Sequence, residues 1–111
     1  MKLKQFDIWT ADLNPKRGTE PGKIRPVVIV QTNLLNNEHP STLICPITTQ
    51  VIEEAEILRV HLKKGQLPQK SDVLVDQIRA IDNRRFLKKV GSLNAGQVDR
   101  LRENLRVVMD L

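Results

Sequence analysis

A chain of 111 residues, 40% of them apolar, has room for one domain with a real core, so the whole span 1–111 is expected to fold as a single unit. No apolar run approaches the roughly 18–20 residues that cross a bilayer, Met1-Lys2-Leu3-Lys4-Gln5 lacks the apolar stretch of a signal peptide, and the single cysteine, Cys45, can form no internal disulfide, so a reducing cytoplasm and no membrane partner are expected. The formal charge of +5, with an isoelectric point near 9.7, agrees with a polyanionic partner but excludes little by itself.

Asp7-Ile8-Trp9-Thr10-Ala11-Asp12-Leu13 predicts a first strand, ended by Asn14-Pro15. The stretch 14–24 holds Pro15, Gly18, Pro21 and Gly22 and predicts a loop of unusual length for a small domain, the kind of loop that often carries function. From Lys16 to Arg25 the basic residues Lys16, Arg17, Lys23 and Arg25 face one acid, Glu20. Arg25-Pro26 then opens Val27-Val28-Ile29-Val30, a β-branched run expected to be buried on both faces. Pro26 has to stand at its beginning, because proline cannot donate to a ladder. Residues 33–40 predict a short helical turn and loop. Thr42 to Thr48 predicts the next strand, with Pro46 pointing to an edge or a bulge.

After the acidic Glu53-Glu54-Ala55-Glu56, the alternation from Ile57 to Leu62 predicts a half-exposed strand. Lys64-Gly65 and Pro68 mark turns. Asp72 to Ile81 predicts one long strand with room for a bend, and Leu87 to Leu93 a short final one. Asn94 can cap a helix with Gln97 as its reciprocal partner, and Val98, Leu101, Leu105 and Val108 give that helix one apolar face. Many short strands and then one helix predict a mainly β fold, a strongly twisted sheet or small barrel closed by the C-terminal helix. A second basic segment, Arg79, Arg84, Arg85, Lys88 and Lys89 against Asp82, is distant from the first in sequence. Brought together, the two would form a positive groove for phosphates; kept apart, they are two solvated faces.

The common catalytic signatures are missing. There is no glycine-rich phosphate loop, no Gly-x-Ser-x-Gly and no His-Glu-x-x-His, and one cysteine with two histidines makes a poor zinc site, so neither metal nor cofactor is expected. A two-histidine ribonuclease would need both imidazoles on one phosphate. His39 falls in a loop and His61 in a strand, neither in a basic segment, so both are expected to be surface or strand-edge residues. Trp9 is expected in the core. With only Phe6, Trp9 and Phe86 as aromatics, recognition of bases would rest on loop hydrogen bonds more than on stacking.

Asp7-Ile8-Trp9, Asp12-Leu13-Asn14-Pro15, Gly18-Thr19-Glu20 and Arg25-Pro26-Val27-Val28 together resemble the opening of the MazF/PemK (Kid) family of toxins. Pro46-Ile47-Thr48-Thr49-Gln50 resembles that family's strand-end threonine motif, and Asp76-Gln77-Ile78-Arg79-Ala80-Ile81-Asp82 its Asp/Glu-Gln segment. The three stretches occur in the family's order and span nearly the whole chain. Three departures stand out: Phe6 replaces the usual Gly, Pro21-Gly22 follows the Gly-Thr-Glu motif, and Leu74 stands where some members carry an arginine.

The resemblance implies an SH3-like small barrel of the CcdB/Kid/MazF type, a homodimer, and an acidic, MazE-like cognate antitoxin. It also implies sequence-specific, metal-independent cleavage of single-stranded RNA by 2′-hydroxyl attack, leaving 2′,3′-cyclic phosphate and 5′-hydroxyl ends. Carried over residue by residue, the catalytic group is Arg25, Thr48 and Glu20, with Asp76 as the other carboxylate able to take the 2′-hydroxyl proton or to hold Arg25. The RNA track would run over Asn14, Lys16, Arg17, Thr19, Lys23, Thr49, Gln50, Asp76, Gln77 and Arg79. The competing expectations are a CcdB-like toxin that binds gyrase and a plain RNA-binding module. Against the former, the chain ends Val107-Val108-Met109-Asp110-Leu111 in place of a Trp-Gly-Ile type tail.

Overall fold

The computed structural model describes residues 2–13 and 23–111. Its strands are β1 (Asp7–Asp12), β2 (Ile24–Ile29), β3 (Ser41–Thr48), β4 (Arg59–Leu62), β5 (Ser71–Leu74), β6 (Arg79–Asp82) and β7 (Phe86–Ser92), followed by helix α1 (Ala95–Met109). They form one antiparallel sheet in the order β4-β5-β3-β2-β1-β7, with β6 also paired to β3. The sheet curls into a half-barrel, as the alternation of short strands predicted. Its two ends meet at the β4–β5 hairpin: Gln66 donates from Nε2 to the Ser92 carbonyl at 3.4 Å. Gly91 suits the close approach there, because a Cβ at that position would lie 3.3 Å from the Gln66 carbonyl oxygen, a tight contact.

The apolar run of β2 is buried on both faces. Val28 and Val30 point to one side with Ile8, Cys45, Ile47 and Val73, while Val27 and Ile29 point to the other with Trp9, Ala11, Ile44 and Phe86. The first cluster is covered by α1. Leu101 is fully buried in it, and Val98, Leu105 and Val108 pack against it. The second contains Trp9, edge-on to Phe86 with ring centroids 6.0 Å apart. Trp9 is therefore a core residue, as expected. Burial raises the Cys45 thiol, with help from the Asp76 charge, to about 12, so it stays protonated.

The helix begins as its sequence signals. The Asn94 side chain accepts from the Gln97 N–H at 2.9 Å, and the Gln97 side chain accepts from the Asn94 N–H at 3.0 Å. Gln97 also donates to the His61 carbonyl at 3.1 Å, which ties α1 to edge strand β4. Arg100 pairs with Glu56 and anchors the acidic stretch to the same helix.

Three sequence expectations need correction. Asp72 to Ile81 is two strands, because a 3-10 turn, Val75–Gln77, breaks the run and lets β5 and β6 pair with different ends of one edge of β3. The strand expected from Ile57 starts at Arg59, since Leu58 has a left-handed φ of 72° that a ladder cannot continue through. Pro46 marks neither an edge nor a bulge. On one side it is the register partner of Val27; on the other it falls between the β6 ladder, which ends at Ile44, and the β5 ladder, which begins at Ile47. The break in the ladder accommodates the missing N–H. No helix among the described residues is long and apolar enough to cross a membrane.

Candidate functional site

β2 and β3 run antiparallel with Val27 opposite Pro46. Beyond that pair the ladder stops, leaving Arg25 near the start of β2 and Thr48 at the end of β3. The two residues, with Ile24, Pro26, Ile47, Thr49 and Gln50, line a cleft of about 370 Å³. Arg25 is half-buried at the start of β2, so its guanidinium is presented by a fixed strand and still meets solvent. Thr48 ends β3. Its Oγ1 accepts from the Gln50 N–H at 3.1 Å, an arrangement that leaves the hydroxyl proton to point outward.

The Leu13 N–H donates to the Lys23 carbonyl at 3.0 Å, two residues before Arg25. Lys23 is exposed there. Asn14, Lys16, Arg17, Thr19 and Glu20 lie outside the described residues.

The structure thus gathers Arg25, Thr48, Thr49 and Gln50 into one cleft. Asp76 and Gln77 are exposed in the 3-10 turn after β5 and do not line it. Arg79 opens β6 opposite Ile44, on the face that carries Thr48 but four residues back along β3, about 13 Å at the usual rise of a strand. Of the second basic segment, Arg85 and Lys88 fall two strands from the cleft; Lys88 and Pro26 flank Thr10 on either side of β1. Phe86 and Arg25 flank Ala11 on either side of β1, roughly 10 Å apart across two strand spacings, and Arg85 donates from Nη1 to the Asp12 carbonyl at 3.1 Å. Arg84 turns instead to Asp82, at 3.0 Å, and Lys89 to Asp7, at 3.4 Å. Among the described residues of the two basic segments, Arg84 and Lys89 are drawn to carboxylates and not to the cleft.

Behind the Thr48–Gln50 wall lies a charged cluster that the sequence reading passed over. Asp72 on β5 is fully buried and is the register partner of both Thr48 on β3 and His61 on β4. Its Oδ1 accepts from His61 Nδ1 at 2.7 Å. Its Oδ2 accepts from Arg59 Nη1 at 3.0 Å and from the Ile52 N–H at 3.1 Å. Burial alone would raise this carboxyl; the hydrogen bonds from His61, Ile52 and Arg59 outweigh it and hold Asp72 below the usual carboxylate range. His61 sits on an edge strand, as expected, but it is no bland residue, because it faces a buried carboxylate. The signal was available: an aspartate at the head of an otherwise apolar strand needs partners. His61, Asp72, Lys63, Lys64 and Lys70 also line a second cleft of about 530 Å³.

The model of the family described as PemK-like, MazF-like toxin of type II toxin-antitoxin system matches residues 4–109. Endoribonuclease EndoA of Bacillus subtilis (strain 168) is 32% identical over 114 aligned positions, which cover 100% of this chain and 97% of that protein. The fold matches the Mycobacterium tuberculosis toxin MazF-mt6 with a TM-score of 0.79, at 27% identity over 95% of this chain and 97% of that one. It matches MazF from Deinococcus radiodurans with a TM-score of 0.82, at 20% identity over 100% and 99%. Matched in sequence and in its half-barrel with C-terminal helix along nearly its whole length, this chain belongs to the family of PemK-like, MazF-like toxins of type II toxin–antitoxin systems.

Proposed function

We propose that this toxin is an endoribonuclease that cuts single-stranded RNA in the Arg25–Thr48 cleft, in a sequence-specific way and without a metal ion. The carrying observation is that Arg25, at the start of β2, and Thr48, at the end of β3, line one open cleft. The relation to EndoA, whose name states an endoribonuclease, supports the same reading.

In the proposed reaction a ribose 2′-oxygen attacks the adjacent phosphorus and loses its proton to a base. The bond from phosphorus to the 5′-oxygen breaks, and that oxygen leaves with a proton. The products carry a 2′,3′-cyclic phosphate and a 5′-hydroxyl. Negative charge builds on the phosphoryl oxygens as the 2′-oxygen bonds. The planar fork of Arg25 offers fixed charge and paired donors to them, and the Thr48 hydroxyl adds a neutral donor. A guanidinium offers donors and no acceptor, so the base must be another group. Asp76 does not line the cleft, which favours Glu20 as the group that takes the 2′-hydroxyl proton.

The reading includes one toxin domain over 1–111, a homodimer working in the cytoplasm, and an acidic antitoxin that competes with RNA for the basic surface around Lys23 and Arg25. A mixed-sequence RNA incubated with the protein in excess EDTA tests the core of it. Discrete fragments with cyclic-phosphate ends are expected, and none from a substrate lacking the 2′-hydroxyl at the cut site. Intact RNA, bound or unbound, would contradict the reading.

A further inference from the structure

The β3 ladder ends at Thr48, yet the next two side chains, Thr49 and Gln50, form a wall of the cleft. Residues past a strand end need other anchors to hold a defined geometry. Here, besides the local bond from the Val51 N–H to the Thr49 carbonyl at 3.1 Å, there are three. Thr48 Oγ1 holds the Gln50 N–H at 3.1 Å, Arg59 Nη1 donates to the Gln50 carbonyl at 2.7 Å, and Asp72 Oδ2 holds the Ile52 N–H at 3.1 Å. The last two meet on one carboxylate, because the same Arg59 nitrogen donates to Asp72 Oδ2 at 3.0 Å. His61 occupies the other oxygen of Asp72 and fixes its rotation.

We propose that Asp72 and Arg59 are positioning residues, a clamp that fixes the Thr48–Ile52 wall and thereby sets the rate of cleavage without touching RNA. The proposal rests on the reading of the Arg25 cleft as an RNA-cleaving site. An ion pair serving stability alone would need only the contact between Arg59 and Asp72. The bond from the same guanidinium to the Gln50 carbonyl joins the buried carboxylate to the cleft wall. A wall released by a fraction of an ångström moves Thr48 relative to the phosphate, and errors of about 1 Å cost on the order of a hundredfold in rate.

The test uses Arg59→Met, which keeps the stem on an edge strand and removes both bonds, because Asp72→Asn could unfold the chain. Steady-state cleavage of a short RNA and amide hydrogen exchange are measured on the same samples. The expected result is a kcat lower by about tenfold to a hundredfold with KM within about threefold. Arg59→Lys should recover part of kcat, since one ammonium can serve one acceptor well. Exchange at Gln50 and Ile52 should accelerate at least about tenfold while the amides of α1 stay protected. Val98→Ala, which loosens helix packing away from the cleft, should leave kcat per folded molecule unchanged. A wild-type kcat in Arg59→Met, or a loss that tracks only the unfolded fraction, would overturn the proposal, as would unchanged exchange at Gln50 and Ile52. If the wild-type protein cut no RNA, the cleft reading would fail by itself, and faster exchange would still establish the clamp as a structural device.

Discussion

Phe6 shows how much one backbone angle decides. It stands where the resembling toxins usually carry glycine, and the structure gives the reason: its φ is 70°, in the left-handed region that glycine enters freely. The position is fixed by two backbone bonds, Phe6 N–H to the Ile29 carbonyl at 2.6 Å and Leu93 N–H to the Phe6 carbonyl at 3.0 Å. The side chain offsets the strain by packing on the helix-covered core and lying under the Arg102 guanidinium, 5.1 Å from the ring centroid. Phe6→Ala loses the ring and keeps the strain; Phe6→Gly loses both. The glycine variant should therefore be more stable than the alanine variant by about 1 kcal/mol in urea unfolding, the reverse of the order found in a helix. Alanine above glycine would contradict this account of Phe6. The sequence could flag the departure at this position but not the angle that explains it.

At the scale of elements, legibility followed local chemistry. The α1 cap, its apolar face and the doubly buried β2 were readable because each depends on residues three or four apart, or on one continuous run. The split of residues 72–81 was not, because no glycine or proline marks the Val75–Gln77 turn; pairing of both halves with β3 imposes it. Asp72 shows the same limit: its partners lie 11, 13 and 20 residues away. Its lowered carboxyl carries a pH signature with a definite sign. The stabilisation is fully present above the unfolded value of 3.8 and is lost as pH falls through the lower folded value. Asp72→Asn should cost about 2–3 kcal/mol at neutral pH, because Arg59 loses its buried counter-charge and the hydrogen bonds from His61 and Ile52 lose a charged acceptor. It should also flatten the fall in stability below pH 4. Urea midpoints measured from pH 7 to pH 2 check both; an acid limb as steep as that of the wild type would mean that other carboxylates dominate.

For the whole molecule, the meeting of Arg25 and Thr48 in one cleft was legible because family motifs happened to fall at a strand start and a strand end that border it. The positions of Asp76, Gln77 and Arg79 were not, since matching segments in sequence order says nothing about which share a cleft. The proposed homodimer agrees with apolar side chains left exposed on the described protein, among them Leu34, Leu35 and Leu43 at 87%, 47% and 40%, with Ala80, the partner of Leu43 across β3 and β6, exposed as well. Light scattering at micromolar concentration should give about twice the 12.7 kDa chain mass, and a Leu34→Lys, Leu43→Lys double variant should lower it. A wild-type mass of one chain would rule the dimer out.

The central claim is that Arg25 and Thr48 form an RNA-cleaving pair, and single-turnover cleavage of one RNA by site variants tests it most directly. With saturating protein in EDTA, Arg25→Ala should slow cleavage by roughly two orders of magnitude or more, the scale of one lost transition-state donor. Arg25→Lys should restore only part, because charge returns without the planar fork. Thr48→Ala should cost less than Arg25→Ala, because a neutral donor stabilises charge less than a cation does. His39→Ala should be nearly silent, and circular dichroism should report every variant folded. Full activity in folded Arg25→Ala, or a dead His39→Ala, would contradict the account.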